Sequence, residues 1–401
     1  MNRLFACLLI LPLGGGGALG SEWPRWRGPD DDGISTETGW SARWPEGGPR
    51  VVWHANVGVG FSSVTVSGGR LYTMGNRGDR DTVVCLEAGT GAEIWRHSYP
   101  APMAPHYYEG GPSATPTVEG KSVYTLSKSG ELFCLAAGSG KVVWHKNLPR
   151  HLGTRIPEWG FAGSPLVEGN RLILNAGTYG AAVNKMTGAP LWVSASGPAG
   201  YASPVAFNEG GRRCVAVFAQ REIVAVEVQT GRVVWRFPWA TSFGINAADP
   251  IISGDTVFVS SGYNQGCGLI RFADDQPRLL WANKQMRTHF NSCVLFNNCL
   301  YGIDGDAGDN FGALKCLDWR TGRLWWTEPV DGVGTLTIAG GRLIVLSGRG
   351  ELIVAEASPV GFQALDRAQV LGGKCWTMPV LANGRIYCRN AAGALVCLAV
   401  K

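Results

Sequence analysis

The chain has 401 residues, of which 57 are glycine and 17% are charged. Glycine is therefore about twice as frequent as the usual ~7%, which favours short strands and tight turns over long helices. Lys and Arg number 36 against 31 Asp and Glu, and the basic residues are scattered. This distribution excludes the clustered basic face that nucleic-acid binding requires, so we predict no nucleic-acid partner.

Residues 1–20 have the features of a secretory signal peptide. Arg3 precedes the apolar stretch 4–13, and Ala18 and Gly20 are small residues at the positions that a signal peptidase reads. We predict cleavage between Gly20 and Ser21. The apolar stretch is shorter than the ~20 residues that span a bilayer, and no later segment is longer. We therefore expect a periplasmic or secreted protein without a transmembrane segment.

Residues 21–49 form an arm rich in tryptophan, proline and glycine. Its four tryptophans are Trp23, Trp26, Trp40 and Trp44. Because large aromatic side chains are seldom left in water, we expect the arm to pack on apolar surface of the domain that follows, residues 50–401.

A tryptophan recurs every 42–49 residues throughout this domain. The set is Trp53, Trp95, Trp144, Trp192, Trp235, Trp281 and Trp325, with Leu365 at the eighth position. Most of them follow a turn, usually Thr-Gly or Ser-Gly, and a small residue, cysteine or alanine, stands about ten positions upstream in most repeats. Each unit also begins with two short strands joined by a Gly or Asn turn. These hairpins start at Ser63, Thr115, Ser164, Asp249, Ser292 and Met378.

Four antiparallel strands repeated every 40–50 residues are typical of propeller blades. The sequence therefore predicts an all-β fold, an eight-bladed β-propeller of four-stranded antiparallel blades. The last unit ends after its third strand, at Lys401, and an unpaired strand lies at residues 51–53. We predict that this N-terminal strand completes the last blade and closes the ring.

The combination of small residue, Thr-Gly turn and tryptophan resembles the tryptophan-docking motif of PQQ-like (quinoprotein-type) propeller repeats. WD40-like and kelch repeats are less similar, since their Trp-Asp and double-glycine signatures are missing. The resemblance covers nearly all of residues 50–401. Proteins with such repeats include two kinds of exported eight-bladed protein, the BamB-like outer-membrane assembly proteins and the quinoprotein alcohol dehydrogenases.

Four cysteines, Cys85, Cys134, Cys316 and Cys397, stand at the small position where other repeats have alanine. We interpret them as small core residues, because free cysteine packs as a small hydrophobe. Cys388 and Cys397 are the one pair for which a turn at residues 392–393 suggests a cross-strand disulfide.

Residues just before each hairpin are expected at the mouth of the central channel, where propellers bind ligands. The candidate ligand-binding residues are Trp159, Phe161, Tyr201, Asn246, His289, Asn291 and Trp376, with Phe61, Phe290, His106, Tyr107 and Tyr108 near them. Two interpretations stay open: the aromatic rings bind a flat organic ligand or a peptide, or they simply fill the channel.

The resemblance to quinoprotein dehydrogenases implies PQQ, a Ca²⁺ ion held by carboxylate and amide oxygens, and a carboxylate base. Asp249 and Glu109 are the only carboxylates at the inferred channel mouth and are the candidate catalytic residues. The adjacent cysteines that clamp the quinone in that family are missing from the sequence.

The acidic segment 304–310 provides Asp304, Asp306 and Asp309 as candidate metal ligands. Its spacing differs from that of a calcium loop, and Lys315 stands where such a loop has its bidentate glutamate, which favours a solvated turn.

Two functional hypotheses follow. The first is a monomeric, non-catalytic binding or scaffolding module, BamB-like, for a protein or small-molecule partner, without a cofactor. The alternative is a PQQ- and Ca²⁺-dependent alcohol oxidoreductase with a divergent site. The carboxylates at the channel mouth discriminate between them.

Overall fold

Each sequence repeat folds into one antiparallel sheet, because turns at fixed spacing reverse the chain three times. The structure is a computed structural model that describes residues 21–273 and 276–401. The proposed signal peptide, residues 1–20, lies outside the described residues. The described chain forms eight sheets of four strands, one of which gains a fifth strand from the arm. The eight-bladed propeller predicted from the repeat is confirmed.

The strands follow in chain order. The N-terminal segment contributes β1 (Ile34–Ser35) and β2 (Arg50–Asn56). Blade 1 contains β3 (Thr65–Ser67), β4 (Arg70–Asn76), β5 (Arg80–Glu87) and β6 (Glu93–Pro100). Blade 2 contains β7 (Thr117–Glu119), β8 (Ser122–Leu126), β9 (Glu131–Ala136) and β10 (Val142–Asn147), followed by the short helix α1 (Leu148–Leu152). Blade 3 contains β11 (Leu166–Glu168), β12 (Arg171–Leu174), β13 (Ala181–Asn184) and β14 (Pro190–Val193).

Blade 4 contains β15 (Val205–Glu209), β16 (Arg212–Phe218), β17 (Glu222–Glu227) and β18 (Val233–Pro238), followed by a 3-10 turn, Ser242–Gly244. Blade 5 contains β19 (Ile251–Ser253), β20 (Thr256–Ser261), β21 (Gly266–Arg271) and β22 (Arg278–Asn283). Blade 6 contains β23 (Val294–Phe296), β24 (Cys299–Asp304), β25 (Phe311–Asp318) and β26 (Leu324–Asp331). Blade 7 contains β27 (Thr335–Ala339), β28 (Arg342–Leu346), β29 (Glu351–Glu356) and β30 (Ala364–Gln369). Blade 8 contains β31 (Val380–Ala382), β32 (Arg385–Arg389) and β33 (Ala394–Ala399).

The ring is closed by the N-terminal strand, as predicted. Strand β2 pairs antiparallel with β33, so it becomes the fourth strand of blade 8. Trp53 lies opposite Cys397, the same pairing that Trp95 makes with Cys85 inside blade 1. The two ends of the chain therefore share one sheet, and the outer edge of β33 is not left unpaired at the junction.

Each repeated tryptophan connects one blade to the next. The indole Nε1 of Trp95 donates to the carbonyl oxygen of Ala137 in blade 2, at 2.9 Å. Its ring lies against Gly140, where a Cβ would come within 2.5 Å of the indole and where φ is +68°. Glycine is required there both by the left-handed backbone and by the close approach of the ring. Trp53, Trp144, Trp192 and Trp281 meet Gly91, Gly188, Gly231 and Gly322 in the same way.

One docking residue differs from the sequence alignment, and one repeat docks its neighbour without a turn glycine. In blade 6 the docking residue is Trp326 rather than Trp325: Trp326 lies opposite Cys316 and donates to the carbonyl oxygen of Ser358 at 2.7 Å. Trp325 points outward and is 40% exposed, because neighbouring residues of a strand face opposite sides. Blade 5 lacks the turn glycine, and Trp235 stacks on Phe272 instead, with ring centroids 5.1 Å apart.

The cysteines at the small position are core residues. Cys85, Cys134, Cys316 and Cys397 are buried and not disulfide-bonded. The suggested disulfide between Cys388 and Cys397 does not form, because the hairpin register places Cys388 opposite Val396. Burial raises the pKa of the Cys85 thiol to about 11, so this thiol is not ionised near neutral pH.

Candidate ligand-binding site at the channel mouth

The first strand of each blade lies innermost, since the first strands of neighbouring blades contact one another. The N-terminal arm attaches to four of these strands. Trp23 exchanges backbone hydrogen bonds with Val66 of β3, and the carbonyl oxygen of Pro24 accepts from Val118 of β7. Strand β1 pairs in parallel with β27, and the Ser35 hydroxyl donates to Leu381 of β31. Residues 23–35 therefore lie inside the central channel. The sequence predicted packing on apolar surface but not entry into the channel.

A ring of hydrogen bonds runs around the channel at the position where each hairpin begins. The backbone N–H of that residue in one blade donates to the side-chain oxygen of the equivalent residue in the next blade, at 2.7–3.0 Å. In order, the residues are Ser63, Thr115, Ser164, Ser203, Asp249 and Ser292. Asp249 thus occupies a position that serine or threonine holds in neighbouring blades.

The second carboxylate oxygen of Asp249 holds the arm. Its Oδ1 accepts from the Ser203 amide, while Oδ2 accepts from the indole Nε1 of Trp26 and lies 4.0 Å from the Arg27 guanidinium. Burial raises the pKa of Asp249, and Arg27 and Trp26 oppose that rise. Both oxygens are engaged by protein groups. Asp249 therefore anchors the arm, and neither of its carboxylate oxygens is left without a partner, as a catalytic base would require.

Asp31 makes the attachment of the arm depend on pH. Burial raises the pKa of Asp31 from 3.8 to about 7, although Arg25, 3.5 Å away, opposes this. The folded arm therefore favours the protonated carboxyl, and its attachment weakens as pH rises from about 4 to about 7. Hydrogen exchange of residues 21–37, corrected for intrinsic rates, is expected to show lower protection at pH 8 than at pH 5. The Asp31→Asn variant should show a smaller difference; Asp32 and Asp249, whose pKa values burial also raises, remain in it. Equal protection of the unmodified chain at both pH values would contradict the assignment.

Above the arm lies a cavity of about 570 Å³. Its walls come from the loops that precede the first strands, and Trp26 lines it from the side of the arm. Its aromatic lining comprises Trp26, Phe61, His106, Tyr107, Tyr108, Trp159, Tyr201, Phe243, Tyr263, His289, Phe290 and Trp376. Several rings support one another: Phe290 and Trp376 stack with centroids 4.1 Å apart, and His106 lies 4.8 Å from Trp159. The rings surround an open space within the range of ligand-binding pockets.

The structure brings together most of the predicted site residues. Trp159, Tyr201, His289, Trp376 and the candidate base Asp249 line the cavity, as do Phe61, Phe290 and residues 106–108. Sequence reasoning missed Trp26, Glu158, Phe243 and Tyr263. Trp26 belongs to an arm whose path has no local signal, and Tyr263 lies in the turn after β20 rather than before a first strand.

Phe161, Asn246 and Asn291 were also predicted, but they do not line the cavity. The Asn246 amide donates to the carbonyl oxygen of Ala219 at 2.9 Å and accepts from the Ser261 hydroxyl at 2.8 Å. Asn291 donates to the carbonyl oxygens of Ile303 and Gly334, both at 2.9 Å. Phe161 packs in the apolar cluster between blades 2 and 3. These three side chains hold the loops in place.

The second candidate base, Glu109, lies beside the cavity without lining it. Its carboxylate pairs with Lys374 at 2.9 Å, and the Lys374 ammonium lies 4.4 Å from the Trp376 ring centroid. This ion pair holds the carboxylate against Lys374 at the edge of the site, rather than within the cavity.

The acidic segment 304–310 is a hydrogen-bonded turn. Asp304 pairs with Arg287 at 2.8 Å and Lys315 at 3.0 Å. Although burial raises its pKa, these cations bring the pKa of Asp304 below its usual value. Asp306 and Asp309 accept backbone N–H groups of Tyr263 and Asp306. Within residues 21–273 and 276–401, no group of three or more His, Cys, Asp or Glu side chains has an arrangement that could hold a metal ion.

The donors at the cavity do not fit PQQ and Ca²⁺. PQQ carries three carboxylates, and a buried anionic group needs cationic or hydrogen-bonding partners. Among the described residues, the lining contains no Lys or Arg, and its charged members are Glu158 and Asp249. Asp249 is already engaged by Trp26 and Ser203.

None of the helices in the part of the chain that the structure describes is long and apolar enough to cross a membrane.

Comparisons with known proteins agree with this architecture. A structure of BamB from Moraxella catarrhalis superposes with a TM-score of 0.65 at 17% identity, covering 88% of this chain and 98% of that one. The quinohemoprotein alcohol dehydrogenase from Comamonas testosteroni superposes with a TM-score of 0.74 at 14% identity, covering 94% and 80%. At these identities the likeness shows the fold alone.

Sequence comparison also finds BamB. Outer membrane protein assembly factor BamB of Legionella pneumophila (strain Paris) is 24% identical over 194 residues, which are 46% of this chain and 47% of that protein. The chain thus matches about half the length of this curated relative. The family model described as outer membrane protein assembly factor BamB matches residues 37–111 and 79–328. Since these segments cover more than half of the sequence, the chain belongs to the family of outer membrane protein assembly factor BamB.

Proposed function

We propose that this protein is an exported, non-catalytic binding module and that its ligand, free or carried by a partner protein, enters the cavity at the channel mouth. The observation that carries the proposal is the cavity itself, about 570 Å³ of space surrounded by aromatic side chains. Aromatic walls with a few polar groups are the usual lining of ligand-binding pockets. Membership of the BamB family supports a role in binding a partner protein.

The acidic residues argue against an enzymatic role. A catalytic base has to reach its substrate with a free oxygen. Asp249 uses both oxygens to hold the blade ring and the arm, and Glu109 is paired with Lys374. Neither candidate is therefore available for proton abstraction in this arrangement.

The proposal is tested with two aromatic-to-alanine variants of the mature protein, Trp159→Ala and Trp376→Ala. Calorimetric titration against a panel of peptides and small organic compounds should identify ligands whose affinity falls by about fivefold or more in these variants, since one aromatic contact contributes about 1 kcal/mol or more. Trp325→Ala is the matched control, because Trp325 lies on the outer strand β26. Affinities that are the same in all three variants would place the binding site elsewhere and contradict the proposal.

A second experiment tests the alternative. The mature protein is mixed with PQQ and Ca²⁺, and PQQ binding and dye-linked oxidation of an alcohol panel are measured. We expect neither saturable binding nor turnover. Saturable PQQ binding with turnover that is lost in Asp249→Asn would overturn the binding-module proposal in favour of a PQQ- and Ca²⁺-dependent alcohol oxidoreductase.

A further inference from the structure

The cavity has an unusual balance of charge. Among the described residues its lining includes no Lys or Arg and two carboxylates, although the whole chain carries a net charge of +5. Asp249 is engaged by Trp26 and Arg27, so Glu158 is the carboxylate that remains to face a ligand. Every aromatic ring adds a negative electrostatic face, because the quadrupole of the ring places electron density above and below its plane. A pocket of this composition attracts cations and repels anions.

The acidic groups around the mouth strengthen this preference. Glu158 is exposed and lines the cavity. Asp306 lies 3.6 Å from Nδ1 of His289, whose own pKa is lowered mainly by burial. Burial raises the pKa of Tyr263, and the charges of Asp306 and Glu158 raise it further. The negative charges of Asp306 and Glu158 therefore reach the hydroxyl group of Tyr263, which lines the cavity.

Two lysines close to the cavity already make cation–π contacts with rings of its lining. The ammonium of Lys374 lies 4.4 Å from the ring centroid of Trp376, and that of Lys128 lies 4.7 Å from the ring centroid of Tyr108. Lys374 is neutralised by Glu109, and Lys128 donates to the Tyr108 hydroxyl at 2.6 Å. The protein thus already contains two ammonium groups on rings of this lining. Neither lysine itself lines the cavity.

We infer that the cavity binds an organic cation, an alkylammonium or quaternary ammonium group that lies between aromatic rings with Glu158 as its counter-ion. This inference rests on the proposed function and names the ligand class. A quaternary ammonium has no N–H to donate, so ring faces and a nearby carboxylate replace its water more completely than hydrogen-bond acceptors do. The volume of about 570 Å³ leaves room for a larger molecule that carries the cation.

The test compares a cation with a neutral molecule of the same shape. Choline and 3,3-dimethylbutan-1-ol differ by one nitrogen-to-carbon replacement and one charge. Calorimetric titration of the mature protein is expected to give at least about tenfold tighter binding of choline, the difference that cation–π contact and one carboxylate can supply. Tripeptides with a central trimethyllysine or leucine test the same chemistry on a peptide. Tighter binding of the trimethyllysine peptide than of choline would identify a partner protein as the source, and the reverse order would identify a free small molecule.

Variants assign the binding to the cavity. Glu158→Gln should weaken choline about threefold or more and leave the neutral alcohol unchanged, and Trp159→Ala should weaken choline about tenfold. Trp325→Ala and Glu93→Gln, both on outer strands, should bind like the unmodified protein.

Equal or tighter binding of the neutral probes would overturn the inference, and so would the failure of both cations to bind. If neutral ligands bind and depend on Trp159, the proposed function stands while the cation inference fails. If no ligand of either panel depends on Trp159 or Trp376, the proposed function fails as well.

Discussion

Arg389→Met is expected to lower the free energy of unfolding by about 3–5 kcal/mol, the range seen when one partner of a buried charged network is removed. Arg389 lies on β32 of blade 8 and is 1% exposed. Its guanidinium donates to the carbonyl oxygens of Gly58, Ser62 and Met74 and to the Thr73 hydroxyl, at 2.5–2.9 Å. These four acceptors are buried, and methionine provides no donor for them.

The position of Arg389 explains why the effect should be large. Its acceptors all belong to β4 of blade 1 or to the segment just before β3, so the side chain joins the last blade to the first. Burial lowers its pKa to about 9, which still leaves it protonated at neutral pH. The charge is stabilised by carbonyl dipoles, and both sides of the seam lose partners when it is removed.

Urea unfolding of Arg389→Met, followed by circular dichroism, measures this effect. Arg385→Met is the matched control, since Arg385 lies on the same strand but is only partly buried. It is expected to change the free energy of unfolding by about 1 kcal/mol or less. A shift for Arg389→Met that is no larger than that of the control would show that the guanidinium does not stabilise the junction.

Trp235→Ala is expected to lower the free energy of unfolding by about 3–5 kcal/mol, the usual range for truncation of a buried tryptophan. Trp235 is 3% exposed and stacks on Phe272 of the next blade, with ring planes 19° apart. Its Nε1 donates to Oε2 of Glu209 at 2.8 Å. The substitution leaves a cavity between blades 4 and 5 and removes a donor from a buried carboxylate.

Trp325→Ala provides the control for Trp235→Ala, because the two substitutions remove the same side chain. Trp325 is 40% exposed, and its contact with Arg323 lies at the surface. We expect a change of about 1 kcal/mol or less. Thermal unfolding monitored by calorimetry compares the two variants. Similar losses for both would mean that the repeated tryptophans do not hold the blades together through burial.

The architecture was predictable because its signals are local. A turn glycine and a tryptophan four residues later occupy one hairpin, so their spacing is preserved whatever surrounds it. The same rule would have selected Trp326, which follows Gly322 by four residues, instead of Trp325. The closure of the ring was also predictable, since one missing strand and one unpaired strand stood at opposite ends of the chain.

The site was predicted only in part, because its residues alternate along extended backbone. Ile245, Ala247 and Asp249 line the cavity, whereas Asn246 between them is buried in the blade wall. In this segment a period of two separates lining residues from supporting ones, whereas the consecutive residues His289 and Phe290 both line the cavity. The sequence identified the segment that lines the cavity, but not which alternate residues of that segment face the cavity.

The arm could not be placed from the sequence. The contact between Trp26 and Asp249 joins residues 223 positions apart. No local pattern in the arm indicates that it will bind Asp249, the aspartate that stands where neighbouring blades have serine or threonine. A contact of this range emerges only when the whole ring is assembled.

The arm also constrains the order in which the protein can fold. Residues 23–35 and strand β2 leave the ribosome before any blade exists, yet their partners include β27, β31 and β33 near the end of the chain. The arm and β2, which are synthesised first, therefore cannot complete their pairing until the last strands have been made. Each blade, by contrast, can form its own hairpins as it emerges. Early termination of synthesis would release a chain whose closing strand lacks its partner and whose arm keeps only its contacts with the earlier blades. Completion of translation is thus a condition for the native channel as well as for the closed ring.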